Sequence, residues 1–393
     1  MTGLSQMQSP LKKILVFIDW YLPGYKAGGP IKSCVSLVER LNKDYHFKII
    51  TSDTDLNESR PYAGIQPDSW ITTEKGTEVF YCSRNFLKQK NIEQLLMDEK
   101  PDIIYLNSMF SVYFTLFPLL AIRKHKIPAR VVVAPRGMLS KGALALKPLK
   151  KKVFLIVSKI MGLFGNVTFH ASTIIEVEEI KAVFGENVRV QHAINLTPDI
   201  PVVKVARKKE PQHVKLVYVG RISEVKNLLK CLRVLKKTSA ENQFQFDIYG
   251  PHDDEEYLEL CKKEIQSLPG NIKAELKGPF DNAGITSLLK NYHFLFLLSM
   301  NENYGHAIVE GFTAGCPVII GNRTPWKNLE AKKCGWDLSL DHEEKIINAL
   351  NTAAAMSQQS YDEWSTAAAD FAVTIHDNKK TIEDHHRLFA SAN

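Results

Sequence analysis

No C-x-x-C pair occurs among the six cysteines, Cys34, Cys82, Cys231, Cys261, Cys316 and Cys334, so the spacing of a paired-thiol redox motif or a cysteine zinc site is missing. Most of them stand among apolar residues, where a reduced thiol behaves as a small hydrophobe, and a reducing cytoplasm is the expected compartment. Long apolar runs are missing as well. The stretch "VYFTLFPLLAI" at residues 112–122 would span barely half a bilayer as a helix, so no transmembrane segment is expected. Lys12 and Lys13 before "ILVFI" imitate the start of a secretion signal, but the apolar stretch is too short and no small-residue cleavage site follows. It reads as a first buried strand. Acidic residues are absent from Ser140 to Asn166, where six lysines stand.

What is present is an ordinary globular composition, 45% apolar and 24% charged, spread over 393 residues. That exceeds what one hydrophobic core usually supports, so two domains are expected. Charge divides unevenly: 27 Lys and Arg against 18 Asp and Glu in residues 1–205 leave net +9, while 23 against 25 in residues 206–393 leave net −2. One half is therefore suited to an anionic partner such as membrane, nucleic acid or phosphate. Short β-branched runs such as "KILVFID" (13–19), "DIIYLN" (102–107), "VKLVYVG" (214–220) and "HFLFLLS" (293–299) alternate with helical patterns. This is the mark of parallel sheets covered on both faces. Residues 195–213, with three prolines, a basic cluster and no clear period, read as a linker. The expectation is an α/β protein of two Rossmann-like, doubly wound domains, 1–200 and 201–374, facing across a cleft at the carboxyl ends of their strands. A C-terminal helix at about 375–393 is expected to pack back on the first.

Chemistry concentrates in the second half. In "NENYGHAIVEGFTAGCPVIIG", residues 301–321, the chain passes from a strand ending at Ser299 into a helix running to about Ala314. The unpaired first amides of that helix, near Tyr304, Gly305 and His306, make an anion site, and Gly305 lets a ligand approach the backbone. Glu302 precedes the helix and Glu310 lies inside it, so the two carboxylates reach different parts of an elongated ligand and can each accept from vicinal hydroxyls. The plainer alternative is that both are solvated acids near a helix start. In "YVGRISEVKNLLKCL", residues 218–232, Gly220 and Arg221 end a strand, and Lys226 and Asn227 open the next helix. A planar guanidinium and a point charge together suit a diphosphate.

"GR" followed by "KN", and the E-x7-E pattern continuing as "GFTAGCPVI", resemble the carboxyl-terminal donor site of retaining glycosyltransferases of family 4, which have the GT-B fold. "PGYKAGGPIKSCVSLVERL" resembles the glycine loop and first helix of that family, and "APRGMLSKGALALKPLKK" its acceptor-side loop. The resemblance extends across nearly the whole chain. It implies transfer of a sugar from a nucleotide diphosphate with retention at the anomeric carbon, and no catalytic metal or further cofactor. Arg221 and Lys226 would then neutralise the leaving diphosphate, Glu310 would hold the ribose and Glu302 the donor sugar. Gly28 and Gly29 would let the amino-terminal loop approach the diphosphate. Many relatives carry a histidine after the fifth strand of the first domain; "APRGML" places Arg136 there. Arg136 cannot act as a base at neutral pH but can bind phosphate or acceptor, or serve in a structural salt bridge. His170 is a further polar candidate. Asp53-x-Asp55 has the spacing of a metal site in the other glycosyltransferase fold, but it follows the second strand, away from any nucleotide site, and metal binding is not expected.

Leu149, Val153, Ile156, Ile160 and Phe164 recur near helical spacing beside Lys152 and Lys159. Such a helix could rest on an anionic membrane surface, or be a core helix with a solvated basic face. Nucleic acid is not an expected partner, since no stacking aromatics interleave with the basic segment. The resulting expectation is a cytoplasmic enzyme, peripheral on the inner face of the membrane, moving sugar from a UDP-sugar to a lipid-linked or saccharide acceptor in surface polysaccharide synthesis. UDP and the lipid acceptor rest on the resemblance. A nucleotide-sugar epimerase of the same fold and a non-catalytic nucleotide-sugar binder are the alternatives.

Overall fold

The computed structural model describes residues 10–145, 148–198, 201–252, 254–280, 284–377 and 379–390. Lys147 of the acid-free run, residues 199 and 200 of the expected linker, and residues 378 and 391–393 of the expected C-terminal helix lie outside them. Contacts divide the chain into two units, Met1–Pro198 with Lys379–Asn393, and Asp199–Asn378.

The first unit runs β1 (Lys12–Phe17), α1 (Gly29–Leu41), β2 (Tyr45–Ser52), β3 (Trp70–Thr72), β4 (Glu78–Cys82), α2 (Gln89–Glu99), β5 (Ile103–Leu106), α3 (Phe117–His125), β6 (Arg130–Val133), α4 (Lys141–Ala145), α5 (Pro148–Ile160), β7 (Val167–Ala171), α6 (Ile174–Phe184) and β8 (Val190–His192). They build one sheet in the order β3-β4-β2-β1-β5-β6-β7-β8. Only β3 runs antiparallel, against β4. The period of two along a strand sorts the apolar residues onto two faces. Ile14 and Val16 join Cys34, Leu37, Val38 and Leu41 of α1 in one cluster, while Leu15 and Phe17 join Ile92, Leu95 and Leu96 of α2 and Ile180 of α6 in the other. Both faces are covered, so the strands read as unbroken apolar runs rather than alternations.

The second unit runs β9 (His213–Val219), α7 (Leu228–Leu235), β10 (Gln243–Tyr249), α8 (Glu255–Gln266), β11 (Ile272–Gly278), α9 (Ile285–Leu289), β12 (Phe294–Leu297), α10 (His306–Thr313), β13 (Val318–Gly321), β14 (Gly335–Leu338), α11 (Glu343–Ala355) and α12 (Gln358–His376). Its six strands lie in the order β11-β10-β9-β12-β13-β14, all parallel. A final helix, α13 (Lys379–Phe389), belongs to the first unit, where Leu388 and Phe389 enter the cluster containing Tyr45 and Tyr105.

The expected linker is not a free tether. Arg207 and Lys209 are only 6% and 2% exposed. Arg207 donates to the carbonyls of Ala314 (2.5 Å), Gly315 (2.7 Å) and Lys290 (2.9 Å) and to Ser365 Oγ (3.1 Å). Lys209 Nζ donates to the Glu210, Ala354 and Met356 carbonyls, and burial pushes its ammonium down to about 8. Two residues that composition marks as solvated thus fasten the segment to its own unit, because carbonyls at helix ends need donors.

Three buried histidines make the fold sensitive to acid. His170 accepts from Tyr105 at Nδ1 and donates from Nε2 to the Ala193 carbonyl, both at 2.8 Å, and burial holds it well below the ordinary histidine range. His293 and His385 are pushed down to about 4, again chiefly by burial. The unfolded chain binds protons at these positions below pH ~6.5 while the folded chain does not, so stability falls as pH drops from ~6.5 toward 4. A denaturant midpoint lower at pH 5 than at pH 7, with a flatter dependence in His385→Phe, is expected; a midpoint constant over that range would contradict it.

Candidate functional site

Strand order in the second sheet reverses between β9 and β12, and successive strands are added outward on either side of that pair. Loops leaving the carboxyl edge diverge at such a point and leave room for a ligand. Gly220–Asn227 and Leu298–Gly305, the loops that carry the motif residues, leave from these two strands.

The two loops are tied together at several points. Met300 N donates to the Val225 carbonyl (2.8 Å) and Asn227 Nδ2 to the Leu298 carbonyl (3.1 Å). Asn227 adopts φ 57° between a 3-10 turn at Glu224–Lys226 and α7, so its side chain fixes the loop instead of pointing outward. Lys226 Nζ reaches Glu302 Oε1 at 2.5 Å, and Ser299 Oγ donates to the same oxygen at 2.7 Å. Glu302 is 8% exposed, and its amide donates to the Arg323 carbonyl at 2.9 Å. The carboxylate expected at sugar hydroxyls and the ammonium expected at diphosphate thus form one ion pair.

Gly220 follows β9 directly, and a Cβ there would lie 3.9 Å from Lys226 Cδ, so the lysine stem runs past it. Arg221 is exposed, and its carbonyl accepts from Tyr218 Oη at 2.9 Å. Sequence reading passed over Gly250 at the end of β10, where a Cβ would stand 1.8 Å from the Gly220 carbonyl oxygen. Only glycine permits that approach of two strand ends.

Gly305, which has no side chain of its own to cap with, precedes α10 at φ 79°, ψ 62°. A side chain at Gly305 would also strike Ile308 Cδ1, at 2.7 Å. The positive φ and this contact explain why glycine stands there. Tyr304 is buried, packs edge-on against His306 (4.9 Å) and Trp326 (5.4 Å), and its carbonyl accepts from Trp326 Nε1 at 2.6 Å. Burial, then the Glu310 charge, pushes its phenol up, so Tyr304 is a neutral wall behind the helix start. Glu310 is half-buried on α10.

In the first sheet the order reverses between β1 and β5, and a second polar group collects there. Arg136 adopts φ 55°, strained for a side chain of its size. Its Nε donates to Asn107 Oδ1 (2.5 Å), one terminal nitrogen to Tyr105 Oη (2.8 Å) and the other to Asn195 Oδ1. All three acceptors are neutral, so the guanidinium is oriented without its charge being cancelled by them. Asn107 is 2% exposed, and its Nδ2 has no hydrogen-bond partner among the described residues. Asp19, after β1, accepts from Ser111 Oγ at 2.6 Å, and burial raises its carboxyl. Gly28 caps α1 at φ 66°, where a Cβ would meet nothing within 4 Å among the described residues beyond its chain neighbours, and Gly29 opens the helix. Asp55 Oδ2 holds the preceding loop by accepting the Tyr25 (2.9 Å) and Lys26 (3.2 Å) amides. Asn107, Asn195 and Asp19 carry no motif; only their position after buried strands marks them.

Residues 201–364 match the family model described as glycosyl transferases group 1. No curated protein matches the sequence. Among solved structures, HepE of Anabaena in complex with UDP and glucose is similar with a TM-score of 0.69 at 13% identity, over 96% of this chain and 98% of that one. Sucrose-phosphate synthase from Thermosynechococcus elongatus gives 0.72 at 12% identity, over 97% and 98%. WaaG, a glycosyltransferase involved in lipopolysaccharide biosynthesis, gives 0.65 at 14% identity, over 97% and 100%. The chain accordingly has the GT-B fold, and residues 201–364 match glycosyl transferases group 1.

Proposed function

We propose that the protein is a retaining, metal-independent glycosyltransferase that takes a UDP-sugar and extends a lipid-linked saccharide at a membrane surface. The observation that carries the donor half is the Lys226–Glu302 pair, in the loops that leave the neighbouring strands β9 and β12 and lead to the Gly305 start of α10. As the glycosidic bond to the diphosphate breaks, negative charge grows on phosphate and the sugar becomes oxocarbenium-like. Fixed cations and helix amides stabilise the first directly, and a carboxylate near the sugar favours the second. Lys226, Arg221 and the α10 amides take the first role; Glu302 takes the second, and Glu310 holds the ribose. UDP is favoured because the similar HepE structure holds UDP and glucose. Arg136, fixed by neutral partners, is assigned to the acceptor.

The membrane part draws on α5. Leu149, Val153, Ile156 and Ile160 are 79%, 60%, 47% and 81% exposed, whereas Phe164 is buried. The apolar stripe faces outward, against the core-helix alternative. Lys150, Lys152 and Lys159 are exposed on the same helix, whereas Lys151 turns in to donate to the Ala143 carbonyl at 2.5 Å. Apolar side chains among lysines suit an anionic lipid interface. No helix among the described residues is long and apolar enough to cross a membrane.

Radiolabelled UDP-sugars incubated with lipid extract test the reading: label should move to lipid. Isomerised donor, or donor bound and unchanged, would overturn it. Changing Lys150, Lys152 and Lys159 to glutamine should weaken binding to anionic vesicles by roughly 10²-fold, at ~1 kcal/mol per lysine. Affinity for UDP should stay unchanged, because the donor residues lie in the second unit. Sedimentation equal to the parent and insensitive to salt would remove the membrane role.

A further inference from the structure

At the end of the first sheet opposite to Asp19, Asn107 and Arg136, a cavity of about 800 Å³ opens at the amino ends of β1, β5, β6, β7 and β8. Ligands in open parallel sheets gather at the carboxyl edge, so this is not where the fold usually binds. Its volume suits a small molecule. Leu96, Ile127 and Phe389 supply apolar wall, and the charged lining is nearly all basic: Lys12, Lys100, His125, Arg130 and Arg189 against Asp102.

Much of that charge has a local explanation. His125 pairs with Glu93, and Lys100 closes the carboxyl end of α2, where a helix favours a cation. Asp102 Oδ2 is engaged by the Lys13 amide at 2.8 Å. Arg130 and Arg189 have no such account. Neither pairs with a carboxylate among the described residues, and Arg130 Nε donates only to the Leu388 carbonyl, at 3.0 Å. The two guanidinium groups are close enough for the charge of Arg189, after burial, to lower the pKa of Arg130. Arg130 is partly buried and Arg189 exposed, so the two like charges face the cavity from its wall and its rim, where one anion can join them.

We propose that this cavity binds a phosphate-bearing small molecule, with phosphate oxygens on the Arg130 and Arg189 guanidinium groups and its apolar part against Leu96, Ile127 and Phe389. Guanidinium forks match phosphate oxygens in pairs, which favours phosphate over a monovalent halide. The site is separate from the donor site of the second unit and does not depend on that reading.

Calorimetric titration of the full chain with inorganic pyrophosphate, in saturating UDP so that a UDP site is already filled, tests it. One saturable event is expected, weakened at least roughly tenfold in Arg189→Gln, the scale for one charge-assisted hydrogen bond. Arg130→Gln should do the same; because Arg130 also touches α13, Arg189→Gln is the cleaner variant, and Arg189→Lys should restore part of the affinity. A parallel titration with dihexanoyl phosphatidic acid separates the sources: tighter binding than pyrophosphate assigns a lipid phosphate, weaker binding a soluble one. Absence of binding by both probes, or equal affinity in parent and Arg189→Gln, would overturn the proposal. If UDP itself fails to bind, the donor reading falls, and the pyrophosphate difference between parent and Arg189→Gln still decides this site.

Discussion

Lys226→Ala is expected to lower turnover by about 10² to 10³, the scale for removing one preorganised electrostatic stabiliser of a transition state. Adding Glu302→Gln to it should cost little more. The pair explains this: Lys226 Nζ lies 2.5 Å from Glu302 Oε1, so each side chain holds the other, and either single change dismantles the same unit. Groups that act together are non-additive in this way. The loss is not simply misfolding. Lys226 is about a quarter exposed, and Ser299 Oγ still donates to Glu302, so the stability cost should fall below the ~3–5 kcal/mol of a fully buried pair. Rates of sugar transfer in the two single variants and the double, each with its denaturant midpoint, check the expectation. Losses that multiply in the double variant would show that Lys226 and Glu302 work separately.

Arg207→Met is expected to destabilise the second unit by about 3–5 kcal/mol, because several buried carbonyls lose their donor at once, at ~1–3 kcal/mol each. Methionine keeps much of the volume and removes every donor. The carbonyls of Ala314, Gly315 and Lys290 then lose a charged partner at 2.5, 2.7 and 2.9 Å, and buried acceptors left unmade are expensive. Ala314 closes α10, so the change also removes a cation from the carboxyl end of the helix that carries Glu310. UDP affinity should therefore fall with stability, although Arg207 lies away from the α10 amino end. Chemical denaturation followed by tryptophan fluorescence is the measurement, since Trp326 and Trp336 lie in the affected unit. A shift under 1 kcal/mol would mean that water replaces the guanidinium at those carbonyls.

Much of the architecture was legible because burial leaves a periodic trace. Strands covered on both faces must be apolar at every position, so "ILVF" and "FLFL" announced β1 and β12, and the glycines at 220 and 305 stood at their predicted strand and helix ends. The antiparallel β3 was not legible, since three residues are too few for a period. Nor was the direction of the α5 stripe: helical spacing says that apolar residues share a face, but not whether anything packs on it.

By itself the sequence determined the alternation of strands and helices, the two units and the polar residues stationed after their strands, all of which follow from local spacing of apolar and turn-forming residues. The tertiary structure alone decided which of those residues meet. Lys226 and Glu302 stand 76 positions apart and pair because β9 and β12 are neighbours in the sheet. Arg207 is buried because helix-end carbonyls converge on it, and Arg136 is held by Asn107, Tyr105 and Asn195 because their strands end around it. Spacing along a chain records how each segment divides its surface between core and solvent, whereas partnership across a sheet depends on strand order, which no local pattern encodes.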